Sequence, residues 1–224
     1  MRGFVRFALL GLAAAACFAA PIATGTASWQ VSQTTGALNS GNALGAVTSA
    51  VTLTGSLPSV WVAAPVGAAW IGQTATDGNE TSGQCTTANG GTSCGAQPGT
   101  YTYTLSFVNA LGGSLTGFQY TADNSVQITI TDASGTLYSN TSGANAHTAL
   151  ISAGTINWLG NLTITAVVTN AQLASPYETL RTPSGFLATG DVSLNAEGVP
   201  EPSTYAMLGL GGAAMLLARL RRRK

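Results

Sequence analysis

The 224-residue sequence predicts an all-β core, an antiparallel β-sandwich, carried between two terminal segments of different character. Three observations lead there. Apolar and hydroxylated residues alternate over several runs, as in Tyr101, Tyr103, Leu105 and Phe107 against Thr102, Thr104 and Ser106. Turn chemistry recurs between the runs, at Thr76-Asp77-Gly78-Asn79, Asn89-Gly90-Gly91, Gln97-Pro98-Gly99, Leu111-Gly112-Gly113 and Ala133-Ser134-Gly135. No stretch of the centre carries a strong helical period; Ala144 to Ser152 is the best candidate and a poor one. Many short strands with frequent turns build sandwiches or barrels, and one-sided alternation favours a sandwich with solvated outer faces.

In chain order, Met1 to Ala27 reads as a secretory signal. Arg2 and Arg6 supply the positive start, and Phe7 to Ala20 is apolar apart from Gly11. Small residues follow, and cleavage by signal peptidase is expected after Ala27. The apolar run is shorter than the ~20 residues of a membrane span, which argues against an uncleaved anchor. Lipoprotein processing at Cys17 is the other alternative, but Ala14 stands where a large aliphatic residue is usual. Export places the rest of the chain in an oxidising compartment.

The centre, residues 28–197, is the expected sandwich domain. Its candidate strands are Ala46 to Leu53, Val60 to Ala63, Ala68 to Ile71, Tyr101 to Phe107, Leu115 to Tyr120, Val126 to Thr131, Gly135 to Ser139, Leu162 to Thr169 and Phe186 to Leu194. β-branched and aromatic residues dominate them. Cys85 and Cys94 bracket a short glycine-rich loop and are expected to form a disulfide. Their spacing does not fit Cys-x-x-Cys, and with His147 the sole histidine a zinc site is not expected.

Charge narrows the function classes. Only 7% of residues are charged, against about 25% in an average domain. The net charge of zero conceals a segregation: Arg181 is the one basic residue between Arg6 and Arg219. That stretch holds Asp77, Glu80, Asp123, Asp132, Glu178, Asp191 and Glu197. A cation-poor domain has no footprint for nucleic acid.

The chemistry-bearing residues are few. His147 in a polar loop reads as a solvated residue, with no Gly-x-Ser-x-Gly elbow to pair with it. Carboxylates are present, but no two are singled out as a glycosidase pair. Asp77-Gly78-Asn79-Glu80 clusters oxygen ligands that suit Ca²⁺, but an ordinary turn is the favoured reading. Asp123-Asn124 reads as an Asx turn between strands. Trp61, Trp70 and Trp158 could stack on sugars, although the apolar neighbours of Trp61 and Trp70 favour the core. Sequons at Asn79, Asn140 and Asn161 count only in a glycosylating host. No catalytic residue, metal or cofactor is expected, and the chain is not expected to be an enzyme.

The tail, residues 198–224, has three parts in order. Val199-Pro200-Glu201-Pro202 is extended by its prolines, Tyr205 to Ala218 is apolar, and Arg219, Arg221, Arg222, Arg223 and Lys224 end the chain. The apolar part spans only about 21 Å as a helix at ~1.5 Å per residue. That is short for a ~30 Å hydrocarbon core and suits a temporary anchor, with the basic end held on the cytoplasmic side. The alternative is a permanent single-pass anchor.

The tail resembles the PEP-CTERM sorting signal of Gram-negative bacteria. That resemblance implies recognition by an exosortase, a transient stay in the inner membrane, and delivery to the outer surface or the extracellular matrix. It also implies association with exopolysaccharide and biofilm. The centre is similar to the galactose-binding-like, jelly-roll ectodomains that often carry such tails. The matching features are Ala69-Trp70-Ile71, Pro98-Gly99-Thr100-Tyr101-Thr102-Tyr103, Ala122-Asp123-Asn124 and Pro183-Ser184-Gly185-Phe186-Leu187. The function expected is a structural or adhesive role in the exopolysaccharide matrix. The alternatives are a carbohydrate-binding module and, further off, a cryptic hydrolase.

Overall fold

The computed structural model describes residues 19–39, 43–78, 95–143, 146–171 and 182–195. These belong to one folded unit, Phe18–Asn195; a second unit, Met1–Cys17 with Ala196–Lys224, lies wholly outside the described residues. Residues 1–18 of the expected secretory signal, Cys85 and Cys94, Glu80, Glu178 and the whole tail therefore lie outside them too.

The described residues form twelve strands: β1 (Ala19–Pro21), β2 (Gln30–Gly36), β3 (Val47–Ser49), β4 (Val51–Thr52), β5 (Ile71–Gly72), β6 (Gly99–Val108), β7 (Gly113–Asp123), β8 (Ser125–Asp132), β9 (Gly135–Ser142), β10 (Ile151–Trp158), β11 (Asn161–Asn170) and β12 (Gly185–Leu194). They make two antiparallel sheets. One runs β10-β7-β12-β5-β4, with β1 also on β12; the other runs β3-β2-β6-β11-β8-β9. The all-β expectation and the two antiparallel sheets hold.

The alternation read from the sequence becomes the two faces of the second sheet. Tyr101, Tyr103 and Leu105 of β6, Val126, Ile128 and Ile130 of β8, and Leu162, Ile164, Ala166 and Val168 of β11 are buried. The other sheet faces them with Leu115, Phe118, Tyr120 and Ala122 of β7 and Phe186 and Ala188 of β12. Phe186 joins the layers, stacked on Tyr103 at 5.2 Å and edge-on to Trp29 at 5.2 Å. Fully burying such a side chain contributes about 1.5–3 kcal/mol.

Several local expectations change. Val60 to Ala63 is not a strand: Trp61 N–H closes a turn on Pro58 O at 3.0 Å, just after a proline that cannot donate to a ladder. The run Ala46 to Leu53 divides at Ala50, where the chain leaves β3 in one sheet for β4 in the other. The weak helix over Ala144 to Ser152 shrinks to a single 3₁₀ turn, Ala146–Thr148, before β10 begins. No described helix is long and apolar enough to cross a membrane. Strands β1, β2 and β10 fall outside every run that the sequence predicts as a strand. In β2 the inward position after Val31 is Gln33, a buried amide that donates to Thr35 O and Ala37 O.

The first sheet also takes in residues N-terminal to Ser28. Beyond β1, Ile22 N–H donates to Gly190 O and Thr24 N–H to Ala188 O, both at 2.9 Å, so the ladder along β12 continues to Thr24. Ile22 and Thr24 are fully buried. The chain then turns at Gly25, whose φ of 90° favours glycine, and crosses into β2 of the other sheet.

Candidate functional site

One polar cluster is built where β7 ends. Asp123 is the last residue of β7 and is buried, at 5% exposure. Its Oδ2 accepts the indole N–H of Trp61 at 2.9 Å, and its Oδ1 accepts the side-chain amide of Asn124 at 2.7 Å. His147 Nδ1 stands 3.1 Å from the same Oδ1. The 3₁₀ turn that carries His147 is fixed from two sides. Thr121 Oγ1 donates to Ala146 O, and Val62 N–H donates to His147 O at 2.8 Å.

Burial pushes the Asp123 carboxyl above the usual carboxylate range; the His147 charge and the hydrogen bonds from Trp61, His147 and Asn124 pull it back. The two hydroxyls beside the pair are committed to structure. Ser184 Oγ donates to Asp123 O at 3.1 Å, and Thr121 Oγ1 to Ala146 O. The arrangement locks the end of β7 to the 3₁₀ turn, to β12 and to the Trp61 loop. His147 is thus not the solvated loop residue expected: its side chain is only 13% exposed, with its Nδ1 beside the Asp123 carboxylate.

The tryptophans behave as core. Trp61, Trp70 and Trp158 are 8%, 4% and 1% exposed. Trp61 lies against Trp70 with ring centroids 4.2 Å apart, and Trp70 Nε1–H donates to Val62 O at 3.1 Å. A sugar platform needs open rings, so the core reading is the one that fits. Gly185 makes room for this packing: a Cβ there would come within 2.9 Å of Leu53 and 3.1 Å of Trp61.

Asp77 is likewise internal. Its Oδ2 accepts Gln73 N–H at 2.8 Å and Thr74 N–H at 2.9 Å; its Oδ1 accepts Asn39 Nδ2 at 2.9 Å and the Thr74 hydroxyl. Asn39 in turn accepts Gln97 N–H at 3.0 Å. With its oxygens taken by protein donors in a tight turn, the carboxylate clasps loops together, as the turn reading required. Among the described residues no three His, Cys, Asp or Glu side chains gather as metal ligands. Asp132 caps the β8–β9 turn at the surface, held below the usual range first by the Ser134 hydroxyl and then by Leu159 N–H.

A second feature lies on the outer face of the β3-β2-β6-β11-β8-β9 sheet. Register aligns Gln30, Thr104, Thr165, Thr129 and Ser139 in one row across it. Ser32, Thr102, Val167, Gln127 and Thr141 form the next row. No ionisable side chain stands in either row. A shallow groove of about 210 Å³ opens here, lined by Gln30, Val31, Ser32, Val47, Thr102 and Thr104. Hydroxyls and amides offer both donors and acceptors, and nothing here would attract a charged polymer.

One comparison bears on the C-terminal residues. Residues 198–223 match the model of the PEP-CTERM protein-sorting motif. The chain carries a PEP-CTERM sorting signal. The motif covers Val199, Pro200, Glu201 and Pro202 and the basic run Arg219, Arg221, Arg222 and Arg223, all read above from sequence. Comparison with curated proteins finds no match. Among solved structures, this PEP-CTERM chain is similar to the CBM36-1 domain of a multidomain xylanase from the hindgut metagenome of Trinervitermes trinervoides. The identity is 17% and the TM-score 0.22, over 47% of this chain and 80% of that domain. At that score the likeness carries no argument about binding.

Proposed function

We propose that this chain is an exported, non-catalytic surface or matrix protein. Signal peptidase removes its N-terminal leader, and an exosortase-type enzyme acts at Val199-Pro200-Glu201-Pro202. Tyr205 to Ala218 anchors it transiently in the inner membrane, with Arg219 to Lys224 on the cytoplasmic side. The sorting motif at residues 198–223 is the observation that supports this route. Cys85 and Cys94 close their loop as a disulfide once outside the cell, and a peptide mass lacking both thiol hydrogens would report it.

At its destination the sandwich serves a structural or adhesive role in a neutral exopolysaccharide. The charge-free hydroxyl and amide rows of the outer sheet face support this, since such a face meets a polyhydroxylated chain without desolvating a charge. A second reading, a carbohydrate-binding module, is favoured by the groove at Gln30, Ser32, Thr102 and Thr104. Pull-down of purified protein on insoluble neutral polysaccharides tests the two. Retention lost in Gln30→Ala with Thr104→Val, but kept in Trp61→Phe, supports the module. Retention of none of the polysaccharides by the wild type leaves a scaffold that acts through protein contacts.

A further inference from the structure

We infer that the leader is cut upstream of Ala20, at the Ala16–Cys17 or the Ala19–Ala20 bond, and that residues 20–27 stay in the mature protein as a working strand of the sandwich. This rests on the export reading. The expected cut after Ala27 would remove a segment the fold depends on. Ala20 pairs with Val192 and Pro21 with Asp191. Ile22 N–H and Thr24 N–H continue the same ladder, and the Thr24 hydroxyl doubles its last rung: it donates to Ala188 O and accepts Ala188 N–H, each at 3.1 Å. Ile22 is part of the main core, and Ala23 and Thr24 are buried beside it.

The rest of the protein has also committed donors to this segment. The buried indole of Trp29 donates to Ile22 O at 3.3 Å, and Ala69 N–H donates to Thr24 O at 2.8 Å. A chain starting at Ser28 would lose the acceptor for each of these donors. It would also strip one edge of β12 from Ala188 to Ser193. Buried donors and acceptors without partners are strongly disfavoured. Export precedes folding, so the fold does not shield the Ala27–Ser28 bond from the peptidase. What separates the two cuts is whether the product can fold.

The sequence offers better-placed bonds. Ala14 and Ala16 satisfy the small-x-small requirement for a cut after Ala16, and Cys17 and Ala19 satisfy it for a cut after Ala19. Phe7 to Ala16 is then an apolar core of a length ordinary for a leader. Either cut is a simple hydrolysis: water adds across the peptide bond, leaving a carboxylate on the leader and a free amine on the mature chain.

Mass spectrometry of the N-terminal peptide of protein recovered from outside the inner membrane tests this. The expected first residue is Cys17 or Ala20. A first residue of Ser28 overturns the inference while leaving export intact; an intact Met1 overturns both. A second variant tests the structural premise, a precursor lacking residues 20–27 so that Ala19 joins Ser28. It is expected to yield no protease-resistant core where wild type gives one. A resistant core melting at the wild-type temperature would overturn the inference.

Discussion

His147 Nδ1 stands 3.1 Å from Asp123 Oδ1, joining a 3₁₀ turn to the end of a central strand through a carboxylate that is almost wholly buried. The pair is an internal lock, and its consequence is a pH dependence. Folding raises the Asp123 carboxyl above its usual range, chiefly by burial. The native state therefore holds a proton where the unfolded chain has already released it, and stability from this group falls as pH rises through that window. Below about pH 4, the ordinary aspartate range, both states are protonated and the group is neutral in effect. Wild type should thus lose stability relative to Asp123→Asn as pH rises from about 4 toward neutrality. Urea titrations of both proteins across that range read it, and a difference that stays flat would count against the buried-carboxylate account.

Asp77 gathers four donors from Gln73, Thr74 and Asn39. Asp77→Asn turns one acceptor into an amide facing other donors, which should cost about 2–3 kcal/mol. Chemical denaturation measures the loss. Because the carboxylate is already filled by protein donors, millimolar calcium should leave the wild-type melting temperature unchanged.

Phe186 is the joint between the layers, touching Trp29 and Tyr103. Phe186→Ala should destabilise by about 3–5 kcal/mol through a cavity that a two-layer core cannot close. Phe186→Leu should cost less than half of that. Equal, small losses for both would mean that the layers do not meet there.

Much of the fold was legible because the alternation is clean. Each inward position of β6, β8 and β11 from Tyr101 to Val168 is apolar and its neighbours are hydroxylated or amides, with Val108 and Val167 the exceptions. Strand β2 was not legible because Gln33 occupies an inward position, and only the structure shows the carbonyls of Thr35 and Ala37 that satisfy it. Strand β10 was hidden by its register shifts around Ser152, Gly154 and Ile156, which break a simple period. His147 was misread because its partner arrives from another element, and no local pattern near Asn145-Ala146-His147-Thr148 announces Asp123. The tail was the reverse case. Its three parts are contiguous, so prolines, apolar run and basic end could be read in one pass.

The sorting motif should behave as a unit. Glu201→Ala, or replacement of both Pro200 and Pro202, is expected to hold the precursor in the inner membrane with its basic tail intact. Fractionation and immunoblotting read this directly. Normal release of either variant would show that the motif is not what directs the chain.

The most direct test of the central claim is the intact mass of the wild-type protein recovered from the cell surface or the medium. The account predicts a mature chain without Tyr205 to Lys224, and hence a cation-poor, acidic sandwich whose remaining basic side chain is Arg181. An outer-surface protein that still ends at Lys224 would contradict it.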